Sequence, residues 1–555
     1  MSQAQFFRYK WAALGDVNAF FGLMLDNIAG LLLMVGMLVG IFGFPADFAL
    51  RYMVPGTAIG VFLGDLLFFS MAVRTANRTR RQTITAMPLG LDTPSTIGMV
   101  LFVLGPAYTS SLAGGMTEVE AAQFTWQIGI CSIVISGLFK LVCSFGANKI
   151  REVIPRAGLL GSLAAIALVL IAFLPLVESL SMPIVGLVAL SIVLATLVAR
   201  MQLPFQIPGA LGALVIASSL YYLMAFLDLL PAGHAMHAAA DWEFPTEWVT
   251  VFQFGWLAAL EESFQYLPIV IPFALATVVG GIDCTESAAA AGDEFDTGEV
   301  IRVEAFATLV AGLCGGVIQT TPYIGHPAYK AMGGRSAYTL ATALFVGAVG
   351  VLGLFNYIYL YLPQPTVFPI LVFIGLEITA QSFLATPRRH YPAVAFACVP
   401  ALGSLAAITA KKYAPLGPPE GLTQEFATLV QLQNGFIVTS LLWATLLAAM
   451  IDQRLKRAAC FLAICGVCCL FGVIHSPLLS GAMFLPWPYE GNPLSPAQLE
   501  TVLRYTIGYL ASAGLLLAWG FVYRPDAERM MHDHDHTATH DDTPEKPDGP
   551  PASGS

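Results

Sequence analysis

The segment QTTPYIGHPAYKAMGGRSAY, residues Gln319–Tyr338, interrupts an apolar run that would otherwise cross a membrane. It holds two prolines and three glycines together with His326 and Lys330, and it leads into another apolar run without a polar loop. Proline removes a backbone hydrogen bond from a helix, and glycine weakens a helix interior. The segment therefore predicts a membrane span that is broken within its length.

The composition indicates a membrane protein. Of 555 residues, 57% are hydrophobic and 11% are charged, and the mean hydropathy is +0.72. Apolar runs long enough to cross a hydrocarbon core of about 30 Å recur along the chain. The first residues, MSQAQFFRYKWAALGD, lack the cleavage pattern of a signal peptide, so we expect the first span to be retained. The formal net charge of -10 comes largely from the tail and loops and says little about a substrate.

The spacing of the apolar runs predicts two sets of seven spans and two more near the C-terminus. The predicted spans lie near residues 20–43, 54–73, 88–108, 126–147, 157–176, 182–199, 207–229, 267–291, 302–319, 321–334, 337–361, 366–385, 390–410, 430–451, 457–475 and 503–523. The expected divisions are a cytoplasmic N-terminus, a first repeat, an external loop with an amphipathic segment, a second repeat, two additional spans and a disordered cytoplasmic tail, over residues 1–15, 16–229, 230–266, 267–451, 452–524 and 525–555.

Positive residues in the short loops set the expected orientation, because Lys and Arg collect on the cytoplasmic side of membrane proteins. With these spans, Arg74–Arg81, Lys149–Arg156, Arg388–Arg389 and Arg454–Arg457 fall on one side. The Lys411–Lys412 pair is the exception. We therefore expect both termini in the cytoplasm and the protein in a cell membrane, of the bacterial inner-membrane type.

Seven spans before the external loop place the two halves in opposite orientations, so an inverted repeat is expected. The third span opens with TAMPLGLDTPSTIGM (Thr85–Met99), which is broken like the Gln319–Tyr338 segment of the tenth. Breaks at matching positions of two halves point to a transporter binding site, because non-helical backbone at membrane depth must be buried or line a cavity. A pair of surface loops is the alternative, although the tenth span offers too few residues for it.

The second half resembles a known family. The stretch AGLCGGVIQTTPYIGHPAYKAMGGRSAYT is similar to the ninth-to-eleventh-span region of the nucleobase:cation symporter-2 superfamily, which includes uracil, xanthine, ascorbate and azaguanine-type purine permeases. The residues PFALATVVGGIDCTESAAAAGDEFDTGEVIRVEAFATLVAGLCGG are similar to the preceding region. The matching features are Thr320, Thr321, Tyr323, Gly325, His326, Gly334 and Arg335. The resemblance implies an all-α transporter with two inverted sets of seven spans, in which spans one to four and eight to eleven form a core domain and the others a gate.

The resemblance also implies a permease for a purine or pyrimidine nucleobase, working by H+ symport, but two departures weaken this assignment. The family usually carries one carboxylate on span eight and another on span ten that hydrogen-bond the heterocycle. These positions fall near Val279 or Gly280 and near Gly325, which leaves Asp283 and His326 as the nearest polar side chains. A small-anion transporter of sulfate type is the alternative, followed by a channel or a membrane enzyme.

Asp283 and Glu286 are the strongest candidate residues on their own chemistry. They lie three residues apart on an apolar helix and so project from one face. A carboxylate within a span is costly and is usually functional or paired. Solvation at the cytoplasmic end is the alternative for both. If Asp283 carries a coupling proton, we expect Asp283→Asn to lose accumulation while substrate exchange partly survives.

Other polar residues of the broken spans complete the candidate site. His326 lies in the tenth-span break, where its titration range suits a proton-linked role, and a structural histidine is the alternative. Lys330 either neutralises an anion or extends to the interface. Asp26 and Asn27 in the first span either touch the substrate or brace span ten. The candidate substrate-binding residues are Asp26, Asn27, Leu91, Asp92, Asp283, Glu286, Thr321, Tyr323, Gly325 and His326.

The tail and the cysteines carry weaker signals. The stretch HDHDHTATH could bind a transition metal through His532, His534, His536 and His540, although its prolines indicate disorder instead. The nine cysteines lie in or beside apolar runs, so we expect reduced core residues. No phosphate-binding loop, cysteine metal motif or nucleophile elbow is evident, and we expect neither an enzyme nor a cofactor. The expected partners are the lipid bilayer and a small-molecule substrate, without nucleic acid and with a homodimer left open.

Overall fold

The computed structural model of the chain describes residues 7–146, 156–204, 207, 209–230, 244–323, 325–384, 386–413, 423–479, 481–487 and 494–522. Within this part, ten helices are long and apolar enough to cross a membrane, or twelve if two bent helix pairs each count as one span. The chain is therefore an all-α polytopic membrane protein, and its two short strands are confined to the breaks.

The helices follow the predicted order of spans. The first half contains Gly15–Phe42 (span 1), Ala46–Thr79 (span 2), Thr93–Ala113 (the helix of span 3), Glu118–Ser144 (span 4), Leu160–Ser179 (span 5), Pro183–Val198 (span 6) and Gly209–Phe226 (span 7). The second half contains Leu267–Ala290 (span 8), Thr297–Leu313 (span 9), His326–Ala331 (the half-helix of span 10), Ala337–Val351 (span 11), Gln364–Leu384 (span 12), Tyr391–Tyr413 (span 13) and Phe436–Ile451 (span 14). Leu455–Leu470 (span 15) and Pro496–Val522 (span 16) follow.

Several boundaries differ from the sequence prediction for local reasons. Span 4 begins at Glu118, earlier than predicted, because Thr117 and Glu120 form a reciprocal capping box. The helix after Val351 bends by 86° before Phe355–Tyr361 continues, so the predicted eleventh span is two helices. A similar bend of 76° separates Thr423–Gln433 from span 14. Composition alone marks all of these segments as apolar and does not show where they turn.

The breaks in spans 3 and 10 face each other, as predicted. Strand β1 (Leu89–Leu91) pairs with strand β2 (Thr320–Pro322) in an antiparallel ribbon, with Gly90 opposite Thr321. Each strand leads into its own half-helix, so the two half-helices run in opposite directions. This is the geometry that two inverted halves produce, and the chain has the inverted-repeat transporter fold.

Close helix contacts hold spans 2 and 9 together beside this ribbon. Span 2 carries Gly56, Gly60 and Gly64 at four-residue spacing, and they face span 9. A methyl group on Gly56 would lie 2.2 Å from the carbonyl oxygen of Cys314, and one on Gly60 would lie 2.5 Å from Cβ of Ala311. Small residues allow two backbones to approach this closely in a membrane protein. Spans 2 and 9 therefore form a rigid support directly beside the two breaks.

The spans group into two bodies and an extension. Spans 1 to 4 pack mainly with spans 8 to 11, and spans 5 to 7 pack mainly with spans 12 to 14. We call the first body the core and the second the gate. Spans 15 and 16 pack on each other and on span 14. His475, which follows span 15, packs on span 16, since its ring stacks on Tyr505 at 4.8 Å and on Tyr509 at 5.9 Å between centroids.

Candidate functional site

Side chains of spans 1 and 2 hold strand β1. Asn27 is fully buried, donates to the Leu89 carbonyl oxygen at 3.4 Å and accepts from the Leu91 amide at 3.2 Å. Asp65 accepts from the Leu89 amide at 3.1 Å. Buried backbone groups outside a helix need such partners, because water is not available to them. Asn27 thus braces span 3, whereas the sequence left open a contact with the substrate or with span 10.

Asp92 caps the helix of span 3. Its carboxylate accepts from the Ser95 amide at 2.8 Å, and its own amide donates to the Gln319 carbonyl oxygen at 3.0 Å. A carboxylate at this position satisfies orphan amides and offsets the positive end of the helix dipole. Leu91, the residue before it, is buried and lies against Gly30 of span 1. Both residues therefore act in shaping the break, and Asp92 already occupies the helix N-terminus.

The residues after span 8 tie both breaks together. Asp293 is fully buried and accepts from the Thr85 amide at 2.9 Å, just before strand β1. Its carboxylate also lies 2.5 Å from Nζ of Lys330 and 3.4 Å from Nε2 of His326, both on the half-helix of span 10. Arg81 approaches the same carboxylate at 3.7 Å. We call these four side chains and the Thr85 amide the Asp293 cluster.

The Asp293 cluster also determines the charge of its central residue. Burial acts to raise the pKa of Asp293, but the hydrogen bonds from His326, Lys330 and the Thr85 amide outweigh burial and hold the pKa below its ordinary value. Asp293 is therefore ionised near neutral pH. The Nε2 atom of His326 lies 3.2 Å from the Thr85 carbonyl oxygen as well. His326 is therefore a buried member of the Asp293 cluster, which connects the two breaks.

Open space lies beside span 8, near the ribbon. A methyl group on Gly280 would meet no atom within 4 Å. On the same helix, Asp283 and Glu286 are half-buried, and each has an interaction partner. Cys284 directs its thiol toward the Pro322 carbonyl oxygen at 3.4 Å, which joins this part of span 8 to strand β2. Gly280 and the open space beside it therefore lie one turn before Asp283, on the part of span 8 that contacts strand β2.

Tyr323 lies near acidic residues of spans 1 and 12. It is half-buried directly after strand β2, close enough to Asp26 of span 1 and Glu377 of span 12 for their charges to act on its phenol. Asp26 also points at the ribbon, since its Oδ2 would lie 3.0 Å from a methyl group on Gly90. Glu377 belongs to the gate and accepts a hydrogen bond from Gln381. We call the region defined by Asp26, Gly280, Asp283, Tyr323 and Glu377 the acidic cleft.

The carboxylates that the family resemblance implies are absent from this cleft. Val279 and Gly280 stand where the span-eight carboxylate is expected, and Gly280 presents only hydrogen to the open space. Gly325 stands at the span-ten position, where a methyl group would lie 2.4 Å from Cε1 of Tyr323. No side chain fits at Gly325 without moving that ring. The two acids that would hold a heterocycle therefore have no counterparts at these positions.

A cavity of about 660 Å³ lies at the end of the bundle where span 1 finishes. Its lining includes Phe42 and Phe102 of the core, Phe436 of the gate, and Gly481 of the extension. The rings of Phe102 and Phe436 are 5.3 Å apart between centroids, so core and gate touch at the cavity wall. A relative movement of the two bodies must change this contact.

A buried ion pair lies behind strand β2. Lys140 of span 4 and Glu304 of span 9 are fully buried, and Nζ lies 2.9 Å from Oε1. Neither residue was among the sequence candidates, although Lys140 is a lone charge in an apolar run, which is a usable signal. Glu304 stands out less, because Arg302 lies two residues before it. Glu377 is likewise a lone charge in the apolar run of span 12. Asp293 gives no such signal in the sequence, because it follows span 8 in a polar segment that resembles an exposed loop.

Metal binding has no support among the described side chains, which include no group of three or more His, Cys, Asp or Glu residues arranged to hold a metal ion. The tail residues His532, His534, His536 and His540 lie outside the described residues. All nine cysteines are free, and Cys460 is the exposed one among them.

Comparisons with known proteins give structural matches alone. No family model matches the sequence, and no curated protein matches it. The transmembrane domain of the cyanobacterial bicarbonate transporter BicA is similar over 78% of this chain and 96% of its own, with 13% identity and a TM-score of 0.46. SLC26A9 is similar over 79% of this chain and 65% of its own, with 11% identity and a TM-score of 0.49. The murine Slc26a9 anion transporter in its inward-facing state is similar over 80% of this chain and 69% of its own, with 11% identity and a TM-score of 0.41.

These matches correct the family resemblance drawn from the sequence. The similar solved structures are a bicarbonate transporter and anion transporters, which belong to a different family from the nucleobase:cation symporter-2 proteins. The physical reason for the error is that the shared residues encode a strand, a tight turn and a half-helix. Any chain with a broken tenth span needs such residues, so the pattern identifies the break and not the family.

Proposed function

We propose that the protein is a secondary transporter of a small anion, with the acidic cleft as its binding site. The paired break of spans 3 and 10 is the observation that carries this proposal. Thr321 and Tyr323, which offer hydroxyl donors, flank Pro322. The Pro322 ring would lie 3.8 Å from a methyl group on Gly281, the residue after Gly280 on span 8. Non-helical backbone within a membrane protein is expected where it lines a site.

The cleft favours a small solute held by few groups. Thr321 lies opposite Gly90, whose missing side chain leaves room for the Asp26 carboxylate, and Tyr323 is half-buried at the end of β2. The positions at which a nucleobase permease carries its two substrate-binding acids fall near Val279 or Gly280 and near Gly325, and none of these residues has a carboxylate. A compact anion needs only a few hydrogen-bond donors, and the hydroxyl groups of Thr321 and Tyr323 can supply two.

The acids of the cleft imply that the anion moves together with a cation. Asp26 and Glu377 lie within electrostatic range of Tyr323, and Asp283 lies one turn after Gly280 on span 8. Carboxylates that share a region of low dielectric constant repel one another. An anion binds stably there when a carboxylate is protonated or a cation accompanies it. We therefore propose coupling to H+, with Asp283 as the proton carrier on span 8.

Movement of the core against the gate is the proposed mechanism of translocation. Asp26, Asp283 and Tyr323 belong to the core, whereas Glu377 belongs to the gate. The core and gate also meet through Phe102 and Phe436 beside the 660 Å³ cavity. Separation of these two rings would widen the cavity between the core and the gate, and their approach would narrow it.

Uptake into proteoliposomes tests this function. Purified protein is reconstituted, and labelled sulfate, bicarbonate, chloride and acetate are compared with labelled uracil and xanthine. We expect saturable uptake and counterflow exchange of at least one anion, driven by an inward proton gradient, and no uptake of the heterocycles. Saturable exchange of uracil or xanthine without anion uptake would overturn the proposal. Current that does not saturate with concentration would indicate a channel instead.

A further inference from the structure

The buried ion pair behind strand β2 has no part in the transport proposed above, yet it contacts the break directly. Nζ of Lys140 lies 2.9 Å from Oε1 of Glu304 and donates to the Thr320 carbonyl oxygen, also at 2.9 Å. Nζ lies 3.4 Å from Oγ1 of Thr308 as well. One ammonium group on span 4 thus joins span 9 to strand β2.

Thr308 extends the same set of contacts. Its hydroxyl accepts from the Thr320 amide at 3.2 Å and lies 3.1 Å from the Thr320 hydroxyl. Ser136, one turn before Lys140, donates to the Gln319 side chain at 2.7 Å. The first residues of strand β2 are therefore held from spans 4 and 9 on the side opposite β1.

The residues around the Lys140–Glu304 ion pair leave space for it. Oε2 of Glu304 would lie 2.8 Å from a methyl group on Gly281, so a glycine on span 8 leaves room for the carboxylate. The pair also lies within electrostatic range of Asp92, the cap of span 3. Burying two charges is expensive, and a buried pair often gives no more stability than apolar residues of similar volume. Stability alone is a weak reason for placing this pair here.

We infer that Lys140 and Glu304 are positioning residues of the acidic cleft: their ion pair fixes the Thr320 carbonyl and so sets where strand β2 presents Thr321 and Tyr323. Lys140 supplies the donor, and Glu304 holds the ammonium group in place while balancing its charge. The inference rests on the proposed function where it concerns uptake.

The test compares three variants with the wild type. Lys140→Met/Glu304→Leu removes both charges together, so no unpaired charge remains and folding is expected to survive. Thr308→Val removes one hydroxyl of the network and leaves the ion pair intact. Thr342→Val is the matched control, because Thr342 is equally buried but lies on span 11. Each protein is measured for thermal stability, for hydrogen exchange of the Tyr323 amide, and for the concentration dependence of anion uptake.

The Tyr323 amide reports the ribbon itself, because it donates to the Pro88 carbonyl oxygen across the strands at 2.9 Å. We expect faster exchange at this amide in the double variant and in Thr308→Val. We also expect a rise in the half-saturating anion concentration of roughly five- to tenfold, the effect of one lost hydrogen bond. Thr342→Val is expected to match the wild type in both.

Wild-type exchange and wild-type uptake affinity in a folded double variant would overturn the inference. If the double variant does not fold, Lys140→Leu/Glu304→Gln is measured in its place, since it also removes the Lys140 donor and both charges but keeps a polar group at position 304. Unchanged Tyr323 exchange in that folded variant overturns the inference. If the wild type takes up no anion, the proposed function fails, but the exchange measurement still decides whether the pair positions strand β2.

Discussion

Asp293→Asn breaks the ionic anchor of the two breaks while keeping the size of the side chain. Asn still accepts from the Thr85 amide, but it leaves Lys330 and His326 without a charged partner. Removal of one partner from a buried ion pair costs about 3–5 kcal/mol. Because the Lys330 side chain is 20% exposed and regains some hydration, we expect a loss at the low end, about 3 kcal/mol.

The same substitution has a pH signature. A carboxyl group whose pKa is lower in the folded protein adds stability above its unfolded pKa, and this stability is lost as the pH falls through the folded pKa. The pKa of Asp293 is below its ordinary value, and that ordinary value is about 4. The stability difference between wild type and Asp293→Asn should therefore be full at pH 7 and shrink below about pH 4.

Thermal unfolding of the purified proteins in detergent, at neutral and acidic pH, measures this difference. Asp228→Asn is the control, since Asp228 is exposed in the turn after span 7. A melting temperature of Asp293→Asn equal to that of the wild type at pH 7 would refute the role of Asp293 as an anchor. A difference that persists unchanged at acidic pH would refute its ionised state.

Three further substitutions test the site and its support. Gly280→Leu fills the open space and should abolish anion uptake with little loss of thermal stability, whereas Gly281→Leu, next to the Glu304 carboxylate, should lower the melting temperature instead. Tyr323→Phe removes one hydroxyl and should weaken the uptake affinity about tenfold without changing the melting temperature. Gly56→Ala, whose methyl group would lie 2.2 Å from the Cys314 carbonyl oxygen, should reduce the yield of folded protein in size-exclusion chromatography, while Gly40→Ala, with no atom within 4 Å, should not.

The order of spans and the position of the breaks are readable from the sequence because they depend on local signals. Apolar runs set the spans, and Pro88, Pro94, Pro322 and Pro327 mark the segments that cannot continue as helix. The inverted repeat follows from the same signals, since matching breaks in two halves need no contact information. The antiparallel pairing of β1 with β2 agrees with this prediction.

The roles of individual polar residues are not readable in this way, because they depend on contacts between distant parts of the chain. Asn27 braces Leu89 and Leu91, some sixty residues later, and His326 reaches the segment before β1. The sequence identifies both as polar residues in broken or apolar spans. It does not distinguish a structural hydrogen-bonding role from substrate binding. The orientation of the termini and the role of Asp283 remain predictions.

Accumulation of a labelled anion under a proton gradient tests the proposed coupling most directly. Proteoliposomes that contain the wild type are given an inward proton gradient, and accumulation is compared with that of Asp283→Asn. We expect the wild type to concentrate the anion and to lose this on collapse of the gradient, and we expect Asp283→Asn to exchange the anion without concentrating it. Gradient-driven accumulation by Asp283→Asn at the wild-type level would contradict the role of Asp283, and the absence of any anion uptake by the wild type would contradict anion transport itself.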